Sequence, residues 1–268
     1  MAQKSGPQLI DRLPWGALWF QVLAAGPAVA LAFGQMLWTV NRLQPVFSPS
    51  WQPLTTVATN PIVIQAILTN AAIAAGAAII AATASWLICV ALVTRTWLVG
   101  FVAPPLVLSF VVHPTLRALA WGEVAQNLPM PNNMTLAIYA TIALGATILP
   151  MVAVLPILSA LRCIHQYRDA ARNLGGRPRT FERKILFPFV ALSLLVGTAI
   201  GFSMAMFDPF VIRVVSQGLF PSVGSVVADF LAINDWGRVS ALCTFVFLLT
   251  TGAFVIAVLV ISLREVRR

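Results

Sequence analysis

The sequence is poor in charge. Of its 268 residues, 9% are Asp, Glu, Lys or Arg, where a soluble globular chain carries about 25%. That shortfall excludes an ordinary water-solvated surface, because too few ionised groups remain to cover one. Lysine is confined to Lys4 and Lys184. Neither completes a G-x-x-x-x-G-K-[S/T] loop, so the chain carries no phosphate-cradling P-loop. Three cysteines, Cys89, Cys163 and Cys243, stand far apart, with no C-x-x-C pair and no histidine at metal-ligand spacing; they read as small apolar residues. H-E-x-x-H, G-x-S-x-G and paired intramembrane aspartates are missing, which removes the main signatures of an intramembrane enzyme.

What is present is apolar. Hydrophobic residues make up 59% and the mean hydropathy is +0.90. Six runs, at 16–40, 62–92, 98–121, 134–161, 185–207 and 239–263, are each long enough to cross a bilayer as a helix, which needs about 20 residues. A membrane β-barrel is disfavoured because barrel strands alternate polar and apolar residues whereas these runs are continuous. Helices then remain to satisfy the backbone in lipid. The run from Leu18 to Val40 is too long for the apolar region of a cleaved signal. The expected architecture is an all-α membrane protein with residues 1–15 as an N-terminal segment, 16–264 as six transmembrane helices and 265–268 as a short tail.

The net charge of +9 suggests nucleic acid only if the basic residues gather on a soluble face. Here they punctuate apolar runs, so no nucleic-acid partner is expected. Their placement orients the chain instead, since short cytoplasmic loops are enriched in Lys and Arg. With both termini and the second and fourth loops inside, thirteen of the 17 basic residues are inside, and only Arg42, Arg117, Arg213 and Arg238 are outside. Six crossings bring both ends to that same side. The outer segments 41–61 and 208–238 are rich in proline and glycine and read as turns. Asn133 precedes an apolar run and is expected to cap its helix. Pro104, Pro105, Pro114, Pro150 and Pro156 sit inside runs, where each favours a kink. Arg117 and Glu123 read as anchors or loop partners at the outer interface.

The inner loop 162–184 is the most informative stretch. Ala170 and Ala171 are strong helix formers beside Asp169, Gly175 and Gly176 supply a stop, and Pro178 suits the start of a second helix. A short helix, a glycine break and a helix leading into the membrane are expected, forming a compact knob on the cytoplasmic side. Asp169-Ala170-Ala171, then three residues, Gly175, nine residues, Ile185, and Pro188 resemble the coupling-loop motif of ATP-binding-cassette (ABC) importer permeases, written E-A-A, G, I, L-P with the same gaps. Asp169 stands for glutamate and Phe187 for leucine, and both changes keep charge or apolarity. Phe207-Asp208-Pro209-Phe210-Val211-Ile212, Ser222-Val223-Gly224 and Asn234-Asp235-Trp236-Gly237 are similar to the polyamine branch of these permeases, which has relatives importing iron or phosphonates.

The resemblance implies the type I importer permease fold over about residues 62–263, with a cytoplasmic coupling helix, in a bacterial inner membrane. It implies no enzyme activity in this chain: ATP and magnesium belong to a separate ATPase dimer that docks on Asp169, Ala170, Ala171 and Gly175, with Ile185 and Pro188 closing the motif. It also implies a second permease subunit, identical or related, and an external solute-binding protein. Asp208 is the candidate acidic group on the path of a small polar solute, polyamine-like by that resemblance. Aspartate before proline is also a turn former. Without the loop, a passive channel is the alternative.

The topology is checked by labelling single cysteines in a background lacking the native three. A cysteine at Ser222 is expected to react from outside and one at Thr180 from inside; the reverse pattern overturns the six-crossing orientation.

Overall fold

In a computed structural model, residues 40–41, 44–45, 52–112, 114–127, 132–173, 178–208, 210–219 and 221–266 are described. Residues 1–15, the run 16–40 apart from Val40, and residues 267–268 lie outside them. Strands β1 (Val40–Asn41) and β2 (Gln44–Pro45) pair antiparallel, Val40 opposite Pro45. All other regular structure among the described residues is helical.

The sequence dictates where these helices begin. After α1 (Gln52–Thr59), Asn60 caps α2 (Pro61–Thr94): its side-chain oxygen accepts the Ile62 N–H at 3.0 Å, and Pro61 occupies a first-turn position where a missing N–H costs nothing. A 3-10 turn (Thr96–Leu98) leads to α3 (Val99–Val111) and then α4 (Pro114–Gln126). Next comes the 41-residue α5 (Asn133–Asn173). Its cap is Asn132 rather than the expected Asn133. Asn132 Oδ1 accepts from both the N–H and the hydroxyl of Thr135 at 2.7 Å, a reach that fits the residue before the first helical turn. The four-residue α6 (Pro178–Phe181) runs through a π-helical turn (Glu182–Leu186) into α7 (Phe187–Met206).

The segment 208–238, read as turns from its prolines and glycines, holds two short helices, α8 (Val211–Val215) and α9 (Val223–Ala232). The reason is local. Ser222 and Ser225 satisfy one another's amides in a reciprocal capping box, at 3.1 and 2.9 Å. The chain ends in the 31-residue α10 (Trp236–Val266).

Among the described residues, three helices are long and apolar enough to cross a membrane: Pro61–Val93, Asn133–Arg168 and Glu182–Met206. α10 is apolar as well over Trp236–Gly252. The run 98–121 is not one crossing helix. It divides at Val112, which is extended (φ −71°, ψ 122°), because a residue two before proline sits beside the position from which Pro114 excludes the helical conformation. The protein is thus helical and membrane-associated, with apolar spans. Five threonine hydroxyls in the spans and α10 are satisfied locally. Thr83, Thr141, Thr147, Thr198 and Thr244 each donate to the carbonyl four residues back at 2.7–2.9 Å, so none needs water in an apolar medium.

The spans α2, α5 and α7 pack on one another, with α10 against α7. Side-chain partners give their directions. Gly76 faces Thr141 and Gly145 faces the Ala77 carbonyl, so α2 and α5 run parallel. Val152 lies against Gly197 and Ile148 against Gly201, so α7 returns antiparallel. One end of this bundle therefore gathers Asn60, Asn132 and Asp208, and the other gathers Arg95, Arg162, Arg168, Arg183 and Lys184. Buried side chains form two clusters, one around Ala74, Leu144, Met206, Ile212 and Leu242, the other at the basic end around Cys89, Leu92, Cys163, Phe181 and Leu186.

The closest approach is between α5 and α7. Pro156 has no N–H, so the Val152 carbonyl lacks its helical donor. A Cβ built on Gly197 would stand 2.5 Å from that oxygen, and one on Gly201 would overlap the Val152 side chain. Gly197 and Gly201 form a G-x-x-x-G stripe, which allows two backbones to approach in lipid. Leucine at Gly197 is expected to cost about 1–3 kcal/mol or more through overpacking and to lower the unfolding temperature in detergent. Gly252, which has nothing within 4 Å, is the control: its alanine variant should melt with the wild type.

Candidate functional site

The motif residues of the inner loop lie on a helical hairpin at the basic end. Its first arm is the end of α5, which carries Asp169, Ala170 and Ala171 in helical backbone up to Asn173. Its second arm starts at Pro178, and Ile185 and Pro188 follow in the π turn and the first turn of α7. Gly175 falls in 174–177, outside the described residues. The expected glycine break falls on those same residues, and the described helix resumes at Pro178. The expected separate short helix before it is not formed. Residues 162–173 continue the membrane span without interruption, because after Pro156 no proline or glycine intervenes before Gly175.

The second arm is anchored. Phe181 and Leu186 are buried with Val190 against Cys89, Leu92 and Val93 of α2 and Ala160, Cys163 and Ile164 of α5, with Ile185 packed at the edge. Arg183 and Lys184 are exposed beside them. The π turn has a local cause. The Phe187 N–H donates to the Glu182 carbonyl, five residues back, and Pro188 offers no N–H to hold the ordinary register beyond it. Tyr167 on the first arm meets Phe189 edge to face at 6.2 Å, which ties both arms together.

Asp208 sits at the opposite end of α7. Its Oδ1 accepts the N–H groups of Phe210 and Val211, both at 2.9 Å, and so holds the start of α8. The side chain therefore has a structural task as well as partial exposure. Arg117 is not an outer-interface anchor. Its Nη1 donates to the Thr147 carbonyl at 3.1 Å, fourteen residues and about 21 Å along α5 from its first residue. The pairing of Trp121 with Tyr139 at 5.8 Å shows why: α4 runs back along α5, and this carries Arg117 inward. Its Nε is buried without a partner. Glu123, by contrast, is exposed.

Two buried polar groups escape a reading by composition. Asn70, fully buried in α2, donates from Nδ2 to the Met206 carbonyl at 3.2 Å and ties down the end of α7, while its Oδ1 is unpaired. Ser85 is buried with no partner. The signal for Asn70 was visible as one of two amides, with Gln65, in an apolar span. Among the described residues no group of three or more His, Cys, Asp or Glu is placed to hold a metal ion. Compared with known proteins, the chain matches no family model and no curated protein.

The cap at Asp208 separates two roles. Asp208→Ala is expected to lose about 1 kcal/mol of stability, whereas Asp208→Asn keeps an accepting oxygen and should stay within a few tenths of wild type. Thermal unfolding of both variants checks this; equal loss would mean that the charge rather than the cap matters.

Proposed function

We propose that this chain is the membrane-spanning permease subunit of an ATP-driven importer of the ABC type, in a bacterial inner membrane with both termini cytoplasmic. The observation that carries the reading is the motif Asp169-Ala170-Ala171, Gly175, Ile185, Pro188, laid over a hairpin whose two arms continue directly into the antiparallel spans α5 and α7. A partner that grips such a hairpin moves two membrane helices at once.

The reaction belongs to the partner. An ATPase dimer binds ATP and magnesium, and this chain converts its closure into displacement of α5 and α7. The first arm offers small side chains at Ala170 and Ala171 for close approach. The second arm transmits the push through Phe181 and Leu186 into the cluster they share with α2 and α5. Two permease subunits, identical or related, enclose the path, and an external binding protein delivers the solute. That solute is small and polar. A polyamine is the best match to the segments near Asp208, with iron and phosphonates as the alternatives, and Asp208 retains one carboxylate oxygen outside its two cap bonds for a cationic group.

The test pairs amount with activity. Ala171→Trp and Gly175→Trp are expected to leave the chain at normal levels in the membrane, since neither lies in an apolar crossing. Binding of the ATPase and ATP-dependent uptake should both fall several-fold. Full uptake by the double variant would reduce the loop to a topological spacer.

A further inference from the structure

An apolar groove of about 520 Å³ runs between α2 and α7, and the proposed transport function does not use it. Its walls include Ala75, Ala78 and Ala82 from α2 and Ala191, Ala199 and Phe202 from α7. Small side chains on both helices leave a channel wide enough for a hydrocarbon chain. The polar group in its wall, Thr198, donates to the Leu194 carbonyl at 2.7 Å, so the groove offers no free donor. From Phe187 to Phe202 it covers fifteen residues of α7, about 22 Å, more than one leaflet of a hydrocarbon core of roughly 30 Å.

The two ends of the groove differ. At the basic end Trp86 and Phe187 meet edge to face, ring centroids 5.3 Å apart, as aromatic side chains do at a membrane interface. Arg183 and Lys184 precede the groove-lining Phe187 by four and three residues in the π turn. Both are exposed, and neither pairs with a carboxylate among the described residues. Glu182 beside them is half-buried and forms no ion pair there, and the ion pair among the described residues, Arg238 with Asp235 at 3.2 Å, belongs to the opposite end. Basic pockets between spans on the cytoplasmic side are where anionic headgroups bind.

We infer that the groove is a binding site for one anionic phospholipid, an acyl chain lying between α2 and α7 and the phosphate headgroup meeting Arg183 and Lys184. A second transmembrane helix would fill apolar space along the whole span, and it would not account for two exposed cations near one end. The inference is independent of the importer reading and needs no ATPase for its test.

The experiment is native mass spectrometry of the full chain in detergent, with equimolar dioleoyl phosphatidylglycerol and phosphatidylethanolamine added. Wild type is expected to retain one phosphatidylglycerol in preference. R183Q/K184Q should lose that preference by about thirtyfold, in line with what two surface cations contribute, and R183K/K184R should restore it. A75L/A191L fills the groove and should lower retention of both lipids. Helical content by circular dichroism and elution as a single species confirm folding of each variant. Undiminished preference in R183Q/K184Q, or unchanged retention in A75L/A191L, overturns the site. So does cross-linking from a cysteine at Ala75 to a second copy or to residues 16–40 in place of lipid.

Discussion

How near α7 lies to α5 decides the arrangement of the rest of the bundle. The approach is set at one carbonyl. Pro156 removes the donor that Val152 would have had within its helix, and the freed oxygen meets the bare Cα of Gly197. In lipid the hydrophobic effect gives two helices no reason to associate, so close backbone packing and interhelical polar contacts must do so. Gly197 and Gly201 on one side, and alanines such as Ala143, Ala153 and Ala160 on the other helix, supply the first. Asn70 reaching the Met206 carbonyl supplies the second. With α7 fixed on α5 and α2, the motif residues Ile185 and Pro188 at the start of α7 are fixed as well.

Polar groups at membrane depth carry a cost that their neighbours must offset. An arginine at the centre of a span costs roughly 2.5–3.5 kcal/mol even on the mildest scale. Arg117 recovers part of this by donating to the Thr147 carbonyl. That carbonyl is next to Ala146, whose oxygen Pro150 leaves without a helical donor. The same proline that weakens α5 thus sits where an arginine is seated.

The apolar runs made α2, α5 and α7 legible in the sequence, along with the helix start at Pro178. The cap at Asn60 was written in Asn60-Pro61, although hydropathy alone did not draw attention to it. Other features follow from sums that a run average hides. His113-Pro114 lies inside an apolar stretch whose mean hydropathy is unbroken, yet the proline ends the helix. Residues 162–173 looked like a separate element because they are basic, but charge does not stop a helix, and nothing between Pro156 and Gly175 does. The helix after Ser222 was hidden in a segment read as turns, because its capping box uses Ser225 where glutamate or glutamine is the usual partner. Asn70 and the Gly197 to Gly201 stripe required partners from distant sequence before their roles became visible.

On the proposed reading, α7 is the element that carries a push from the hairpin to the far side of the membrane. Its basic end is wedged by Leu186 and Val190 into the cluster shared with α2 and α5. Its other end is held by Met206 in the larger cluster and by the amide of Asn70. Between these points it meets α5 at Gly197 and Gly201, which offer no side chains of their own to the Val152 carbonyl and to the side chains of Val152 and Ile148. Interlocked side chains resist sliding because each must leave its rotamer well, whereas a glycine surface presents backbone alone. A force applied at Phe181 and Leu186 therefore meets least resistance at Gly197 and Gly201, and α7 turns about that contact. The helix then moves its Met206 end against Asn70, beside Asp208 and the start of α8. Transmission and close packing thus depend on the same two glycines.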